Sequence, residues 1–169
     1  MVCYNYLVEG QWLGYTYYTA EAVLTLMKPA GGQFNMVIEV DSGAAITLLP
    51  RSVANVLGVT WESGEPIQLG GVGGSRFVAY VHILDAYIGE VHIPNLPVAI
   101  APSEDFPPLL GRLGLYEHSN ILMNNDQIST CIGEVSTPEP IRSVGAPVPW
   151  VALGILGIVG VMMLSSQVR

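Results

Sequence analysis

Positive charge is scarce in this chain. Six Lys and Arg residues stand against 14 Asp and Glu in 169 residues, which gives a formal net charge of −8. A protein that binds nucleic acid needs a basic surface to neutralise phosphates. The charge balance therefore argues against a nucleic-acid partner.

Cysteine and histidine are also rare. Cys3 and Cys131 have neither metal-like nor redox-motif spacing, and we interpret both as unpaired, which suits a reducing compartment as well as an oxidising one. His82 and His92 flank a predicted turn without further ligands nearby, which favours solvated strand histidines over a metal site. No serine or cysteine nucleophile signature accompanies His118. The sequence therefore predicts no metal and no cofactor.

The triplet Asp41-Ser42-Gly43 occurs once, at the end of an apolar segment. Apolar residues alternate with others before it, the period-2 pattern of a strand with one buried face: Phe34, Met36, Ile38 and Val40. Ser42 and Gly43 favour a tight turn that leaves Asp41 at the edge of the core. These residues alone allow either an ordinary turn or a catalytic carboxylate.

Two later segments bear on this choice. The run Gly70-Gly71-Val72-Gly73-Gly74 is followed by β-type residues, so it favours a hairpin tip over a phosphate-binding loop, which would lead into a helix. Further along, the chain reads Leu109-Leu110-Gly111-Arg112.

In this order and spacing, the three motifs resemble those of the retropepsins, the aspartic proteases of the retroviral type. The motif sequences are most similar to those of single-domain prokaryotic members, and the resemblance extends from about Tyr15 to Ile132. It implies an all-β fold, a retropepsin-like single-lobe acid protease barrel with two short helices.

The resemblance also implies a role for each matching residue. Asp41 would be catalytic, and Ser42, Gly43 and Ala44 would complete the active-site loop. The glycine-rich run from Gly70 to Gly74 would be the flap that closes over substrate, while Thr47, Gly111 and Arg112 would support the loop. In the retroviral enzymes this arginine pairs with an acidic residue just after the motif's alanine. Here that position is Ala45, so Arg112 is either a surface cation or a buried partner of another group.

No second catalytic loop can be found, because the other aspartates lack the motif: Asp85, Asp105 and Asp126. The resemblance therefore implies a homodimer in which two copies of Asp41 act together on an extended polypeptide. Two neighbouring carboxylates can share one proton, which supplies a base and an acid in one site. The alternatives are an inactive peptide-binding or scaffold module on the same fold, and a small membrane structural protein in which the triplet is incidental.

Local patterns predict the remaining elements. Strands are expected over Tyr15–Lys28, Arg76–Ile88, from Val91, and over Pro97–Ala101. A short helix is expected from Pro50 through Leu57, ended by Gly58, and a second over Leu113–His118.

The C-terminal part predicts a membrane anchor. From Ala146 to Leu164 the chain has about 19 residues without a charge, enough to form a helix of roughly 28 Å, close to the hydrocarbon thickness of a bilayer. We predict a protease domain over 1–132, a proline-rich linker over 133–147, a transmembrane helix over 148–164 and a tail over 165–169. Since no signal peptide is visible, we expect the soluble domain in the cytoplasm.

Overall fold

The computed structural model describes residues 1–71 and 76–135, and this part is built mainly of strands. The strands are β1 Val2–Asn5, β2 Leu7–Trp12, β3 Tyr15–Thr19, β4 Glu21–Met27, β5 Gln33–Val40, β6 Thr47–Leu49, β7 Glu65–Gly70, β8 Arg76–Ile88, β9 Val91–Ile100, β10 Leu109–Leu110, β11 Ser119–Asn124 and β12 Ser129–Glu134. One α-helix, α1 (Val53–Leu57), is present in the described part. The prediction of a mostly β protein is confirmed.

The largest sheet has seven strands in the order β4-β5-β10-β6-β9-β8-β7. β4 also pairs with β8, where Thr25 faces Tyr87 and Leu26 faces Ala86, so that the sheet closes on itself. The strict alternation of β4 explains its position, because Ala22, Leu24 and Leu26 are buried while the residues between them are partly exposed. Their side chains join the main apolar core.

A three-stranded sheet, β1-β12-β11, brings the first strand against the last strand of the described part. Cys3 lies opposite Cys131 in the β1–β12 ladder, and a disulfide joins them with their Cα atoms 4.0 Å apart. The interpretation of both cysteines as unpaired is therefore wrong. The pairing depends on two strands that meet only in the folded chain, since 128 residues separate the cysteines in the sequence.

Only the first of the two predicted helices forms. α1 ends where Gly58 takes a left-handed conformation, with φ of 73°, as the helix-ending glycine predicts. Residues 113–118 form consecutive turns, with Tyr116 N–H donating to Arg112 O at 3.0 Å. Gly114 has φ of 81°, outside the helical range, so the segment cannot continue as a helix. A short 3-10 turn, Trp61–Ser63, is an addition to the prediction.

Two strand predictions need correction. The segment Tyr15–Lys28 is two strands rather than one, because the chain leaves the two-stranded β2–β3 sheet at Ala20 and enters the barrel as β4. By contrast, β9 is continuous from Val91 to Ile100 where two strands were expected. A bulge opposite Asp85 accommodates this, with Asn95 at φ of 54° donating its N–H to Asp85 Oδ1 at 3.0 Å.

In residues 1–71 and 76–135, no helix is long and apolar enough to cross a membrane. The predicted transmembrane helix over 148–164 and its linker lie outside the described residues, apart from the linker's first three positions. The last strand of the described part, β12, ends at Glu134.

Candidate active site

Asp41 is the first residue after β5, on the loop that leads to β6. The β5 residues Ile38 and Val40 are buried, whereas Asp41 is partly exposed and Ser42 is exposed. Gly43 N–H donates to Asp41 Oδ1 at 2.7 Å, and Ala44 N–H donates to Asp41 O at 3.2 Å. The turn therefore fixes the orientation of its own carboxylate.

The short strand β10 supports the loop from behind. It lies between β5 and β6, parallel to the first and antiparallel to the second. Asp41 N–H donates to Leu110 O at 3.1 Å. Beyond β10, Arg112 N–H donates to Ala44 O at 3.1 Å, so the leaving leg of the loop is attached to the same segment as the entering leg.

Gly111 allows this close approach. A Cβ atom at this position would lie 2.3 Å from the carbonyl carbon of Ile46 and 2.7 Å from the backbone nitrogen of Thr47. Because the obstacles are backbone atoms, no side-chain rotation could relieve the contact. Gly111 N–H also donates to the buried Thr47 Oγ1 at 3.2 Å. The structure thus brings Thr47 and Gly111 together behind the Asp41 loop.

The side chain of Arg112 is exposed, and so is that of Ala45. In the single chain, this exposure agrees with the surface-cation alternative for Arg112. Its contact with the loop is made by the backbone, through Arg112 N–H and Ala44 O. Any supporting role of Arg112 is therefore carried by main-chain atoms that another residue could supply.

A second carboxyl group, that of Glu39, lies close to this loop. Burial raises the pKa of Glu39, because the charged form loses water, and the negative charges of Asp41, Glu9 and Glu21 raise it further. Glu21 faces Glu39 across the β4–β5 ladder, while Glu9 belongs to β2. The region beside Asp41 is therefore rich in negative charge, and one of these charges, that of Glu9, comes from β2.

The residues predicted to form the flap begin at the end of β7, which pairs antiparallel with β8 so that Gly70 faces Arg76. Gly70 and Gly71 are exposed. The tip residues Val72, Gly73 and Gly74 lie outside the described residues. Between this hairpin and the Asp41 loop lies an apolar cluster whose buried members are Ile46, Leu48, Ala79, Ala99 and Ala101. Partly buried side chains from both hairpin strands pack on it, so the hairpin and the loop share one apolar base.

The histidines differ from the sequence prediction in one respect. His82 is buried, and its Nε2 lies 3.1 Å from Trp61 O, so it is not a solvated strand histidine. His92 stacks on Tyr87 with ring centroids 4.6 Å apart. In the part of the chain that the structure describes, no group of three His, Cys, Asp or Glu side chains could hold a metal ion.

Two features of this region were missed from the sequence. Two backbone carbonyl groups hold the end of β5 and the start of the loop. Val40 N–H donates to Ala20 O at 2.7 Å, and Asp41 N–H donates to Leu110 O. Backbone acceptors have no side-chain signature. The β2–β3 hairpin was also missed, although Trp12-Leu13-Gly14-Tyr15 combines aromatic residues with a turn glycine.

The sequence of this chain is similar to that of a known protein family. The model of the family described as "gag-polyprotein putative aspartyl protease" matches residues 30–115, which include Asp41 and the Leu109–Arg112 segment. No curated protein matches the chain. Among solved structures, a retropepsin-like aspartic protease from Rickettsia conorii is 17% identical, with 68% of this chain and 95% of that chain covered and a TM-score of 0.48.

Proposed function

The chain belongs to the family of retropepsin-like aspartic proteases, and on that premise we propose that it is a homodimeric endopeptidase in which two copies of Asp41 form the catalytic dyad. One observation carries the proposal. Asp41 is partly exposed at the end of a buried strand, and its carboxylate and both legs of its loop are held by backbone hydrogen bonds. A carboxylate that is held in a fixed position and remains accessible meets the geometric requirement of a catalytic role.

The dimer follows from the number of carboxylates that the reaction needs. The chain has a single Asp-Ser-Gly triplet, and proteases of this family are typically dimeric. A second copy would bring its Asp41 next to the first around a two-fold axis. In such a dimer Ser42 would lie next to the axis and brace the paired loops.

The proposed reaction is hydrolysis of a peptide bond. One Asp41 carboxylate takes a proton from a bound water as the water oxygen attacks the carbonyl carbon, and the other, protonated, donates a hydrogen bond to the carbonyl oxygen. The C–N bond then breaks as the leaving nitrogen accepts the proton that the first carboxylate took from the water, which yields a carboxylic acid and an amine and restores the pair. The pair holds one proton because two adjacent like charges repel each other.

The hairpin of β7 and β8 would act as the flap over the substrate. Its exposed Gly70 and Gly71 precede the predicted tip, and its base packs on the apolar cluster beside the Asp41 loop. We propose that it binds an extended polypeptide through backbone hydrogen bonds, with alternate substrate side chains on the apolar base.

Membrane attachment is the second part of the proposal. The uncharged segment 148–164 would anchor the enzyme by one helix, and confinement to a membrane would raise the effective concentration of partners for dimerisation. The cytoplasmic position stays a prediction. The Cys3–Cys131 disulfide favours an oxidising compartment instead, so the redox state of these two thiols in intact cells would decide between the two sides.

The variant Asp41→Asn tests the catalytic proposal. We expect the full chain in detergent to cleave an unfolded polypeptide fastest at mildly acidic pH, and the variant to lose at least about 1,000-fold in kcat/KM. Sedimentation should show the same dimer for both proteins, because Asn keeps the shape of the side chain. Unchanged cleavage by the variant would contradict the proposal.

An inactive peptide-binding module on the same fold is the second candidate. The exposed Ala45 and Arg112 favour it, since the ion pair that the retroviral pattern places at these positions is not formed between them. Saturable binding of unfolded polypeptide without product over a broad pH range would support this candidate.

A further inference from the structure

The β2–β3 hairpin stands apart from the two larger sheets. β2 and β3 pair only with each other in the described part of the chain, and none of their residues is buried. The turn between them has two residues with left-handed backbone, Leu13 at φ of 51° and Gly14 at 82°. Glycine and asparagine are common at such positions, whereas leucine is an outlier. The hairpin thus places a large apolar side chain at its tip at a conformational cost.

One face of this hairpin carries a row of exposed aromatic side chains. Trp12 faces Tyr15 and Gly10 faces Tyr17 in the ladder, which places the three rings on the same side. Trp12 is 71% exposed, Tyr15 77% and Tyr17 51%. Aromatic side chains bury a large area at little cost in conformational entropy, and they are enriched in binding surfaces. We call the row of Trp12, Tyr15 and Tyr17, with Leu13 at its tip, the aromatic face.

The base of the hairpin lies beside the Asp41 loop. β3 ends at Thr19, and the next residue, Ala20, accepts the N–H of Val40, the residue directly before Asp41. Glu9, on the bulge of β2, is close enough to Glu39 to contribute to its raised pKa together with Asp41. The hairpin is therefore continuous with the candidate active site, and it adds a negative charge there.

We propose that the β2–β3 hairpin is a substrate-binding arm that takes an extended polypeptide segment with large apolar and basic side chains. This inference rests on the proposed function and specifies its substrate class. The aromatic face would bind the apolar side chains, and Glu9, with Glu21 and Glu39 nearby, would attract Lys or Arg. Within residues 1–71 and 76–135, no other strand pairs with the outer edges of β2 and β3, so either edge could take an added strand.

Two other occupants are less consistent with these observations. A net charge of −8 and a glutamate on the hairpin disfavour a membrane surface that carries negative lipids. A second copy of the chain that placed its aromatic face against this one would also bring a second Glu9 near the first, and the two like charges would repel each other. A polypeptide with both basic and apolar side chains complements the negative charge of Glu9 and the apolar surface of the aromatic face.

The double variant Trp12→Thr/Tyr15→Thr tests the proposal, with Ile83→Thr as a control at another exposed strand position, 58% exposed on β8. We expect the double variant to raise KM for a long unfolded polypeptide about tenfold, with kcat within about twofold. Hydrolysis of a short peptide that spans only the cleavage site should not change, and the control should behave as wild type. Equal effects on the long and the short substrate, or no effect on either, would overturn the proposal.

Two single variants separate the contributions of shape and charge. Asparagine suits the left-handed backbone at position 13, so Leu13→Asn should keep the fold. This variant therefore provides a test even if the double variant unfolds. We expect it to raise KM for the long substrate. Glu9→Gln should weaken cleavage of a long substrate that contains Lys, relative to the same substrate with Gln in its place. If neither variant has its expected effect, the proposal that the β2–β3 hairpin binds substrate is contradicted.

Binding measurements separate this proposal from the proposed function and from the other occupants. The long polypeptide should bind to Asp41→Asn and lose about tenfold in affinity when the double hairpin change is added, whether or not wild type cleaves it. If the hairpin variants cleave the long polypeptide as well as wild type does, the hairpin is not a substrate-binding arm, while the proposed catalytic function still stands. A double variant that changes only the dimer dissociation constant, or only the binding to phosphatidylcholine vesicles, would assign the hairpin to a second copy or to the membrane.

Discussion

The Asp41 loop and the β2–β3 hairpin lie side by side and are held in opposite ways. The loop is attached at both legs to β10 and Arg112, with Gly111 in backbone contact behind it. The hairpin is held by its own ladder and by its two ends, with no buried residue. An added methyl group should therefore lower the free energy of unfolding strongly behind the loop and only slightly in the hairpin.

The difference agrees with the two roles that we propose. A carboxylate that must meet its counterpart across a dimer axis needs a fixed position, and backbone contacts supply it. An arm that receives varied side chains gains from exposed rings on a locally weak element, because two-stranded sheets are only marginally stable by themselves. Four measurements test this contrast.

Adding one methyl group to a glycine in each region gives the largest expected difference. Gly111→Ala places Cβ within 2.7 Å of three backbone atoms and should lower the free energy of unfolding by about 4 kcal/mol or prevent folding. Gly10→Ala meets only the ring end of Tyr17, at 2.7 Å from its hydroxyl oxygen, so rotation of that ring should keep the loss below about 1 kcal/mol. Chemical denaturation measures both, and equal losses would remove the contrast.

Reduction of the Cys3–Cys131 disulfide should have the next largest effect. The bond joins β1, which leads into the hairpin, to β12, and its loss should lower the free energy of unfolding by about 2–4 kcal/mol. Hydrogen exchange should accelerate more at Tyr6 than at Asp41, since Tyr6 N–H donates to the carbonyl oxygen of Ile128, the residue directly before β12. A Cys3→Ser/Cys131→Ser control should not respond to reductant. A wild-type chain whose thermal midpoint does not respond either would contradict the account.

Thr47→Val measures one support of the loop. Valine keeps the shape but removes the buried acceptor of Gly111 N–H, and an unpaired buried donor costs about 1–3 kcal/mol. Thr47→Ser, which retains the hydroxyl, is the matched control and should recover most of this loss. If valine proved as stable as wild type, this hydrogen bond would not support the loop.

Glu39→Gln, where the two regions meet, should have the smallest effect. A pKa raised above the ordinary value of 4.5 means that the folded chain binds this proton more tightly than the unfolded chain, so ionised Glu39 destabilises the fold at neutral pH. Glutamine should raise stability at pH 7 by less than about 1 kcal/mol, since solvent screens a partly exposed group. The gain should disappear as the pH falls below 4.5. A loss of stability at pH 7 would contradict this environment for Glu39.

Local patterns predicted the parts of the fold that depend on neighbouring residues. The alternation before Asp41 predicted β5, and Gly58 predicted the end of α1. The helix predicted over 113–118 failed because Gly114 adopts a left-handed conformation that its neighbours do not require. The two strands predicted after Val91 are one, since the bulge at Asn95 depends on Asp85 of another strand.

The parts that depend on distant contacts could not be predicted by inspection. The disulfide needs β1 and β12 to be paired, which no spacing indicates. In the candidate site, the motif identified Asp41 and the Leu109–Arg112 segment as partners. It did not indicate that Ala20 and Glu9 lie beside them, because this proximity follows from the path of the hairpin.

The proposed active site needs Asp41 from two chains, and mixed dimers can test this requirement. Wild type and Asp41→Asn are unfolded together, refolded in varied ratios and assayed at constant total protein. Because dimers form at random, activity should follow the square of the wild-type fraction, with about one quarter of full activity at an equal ratio. A linear decline, with about one half of the activity at that ratio, would show that each chain works alone and would contradict the account.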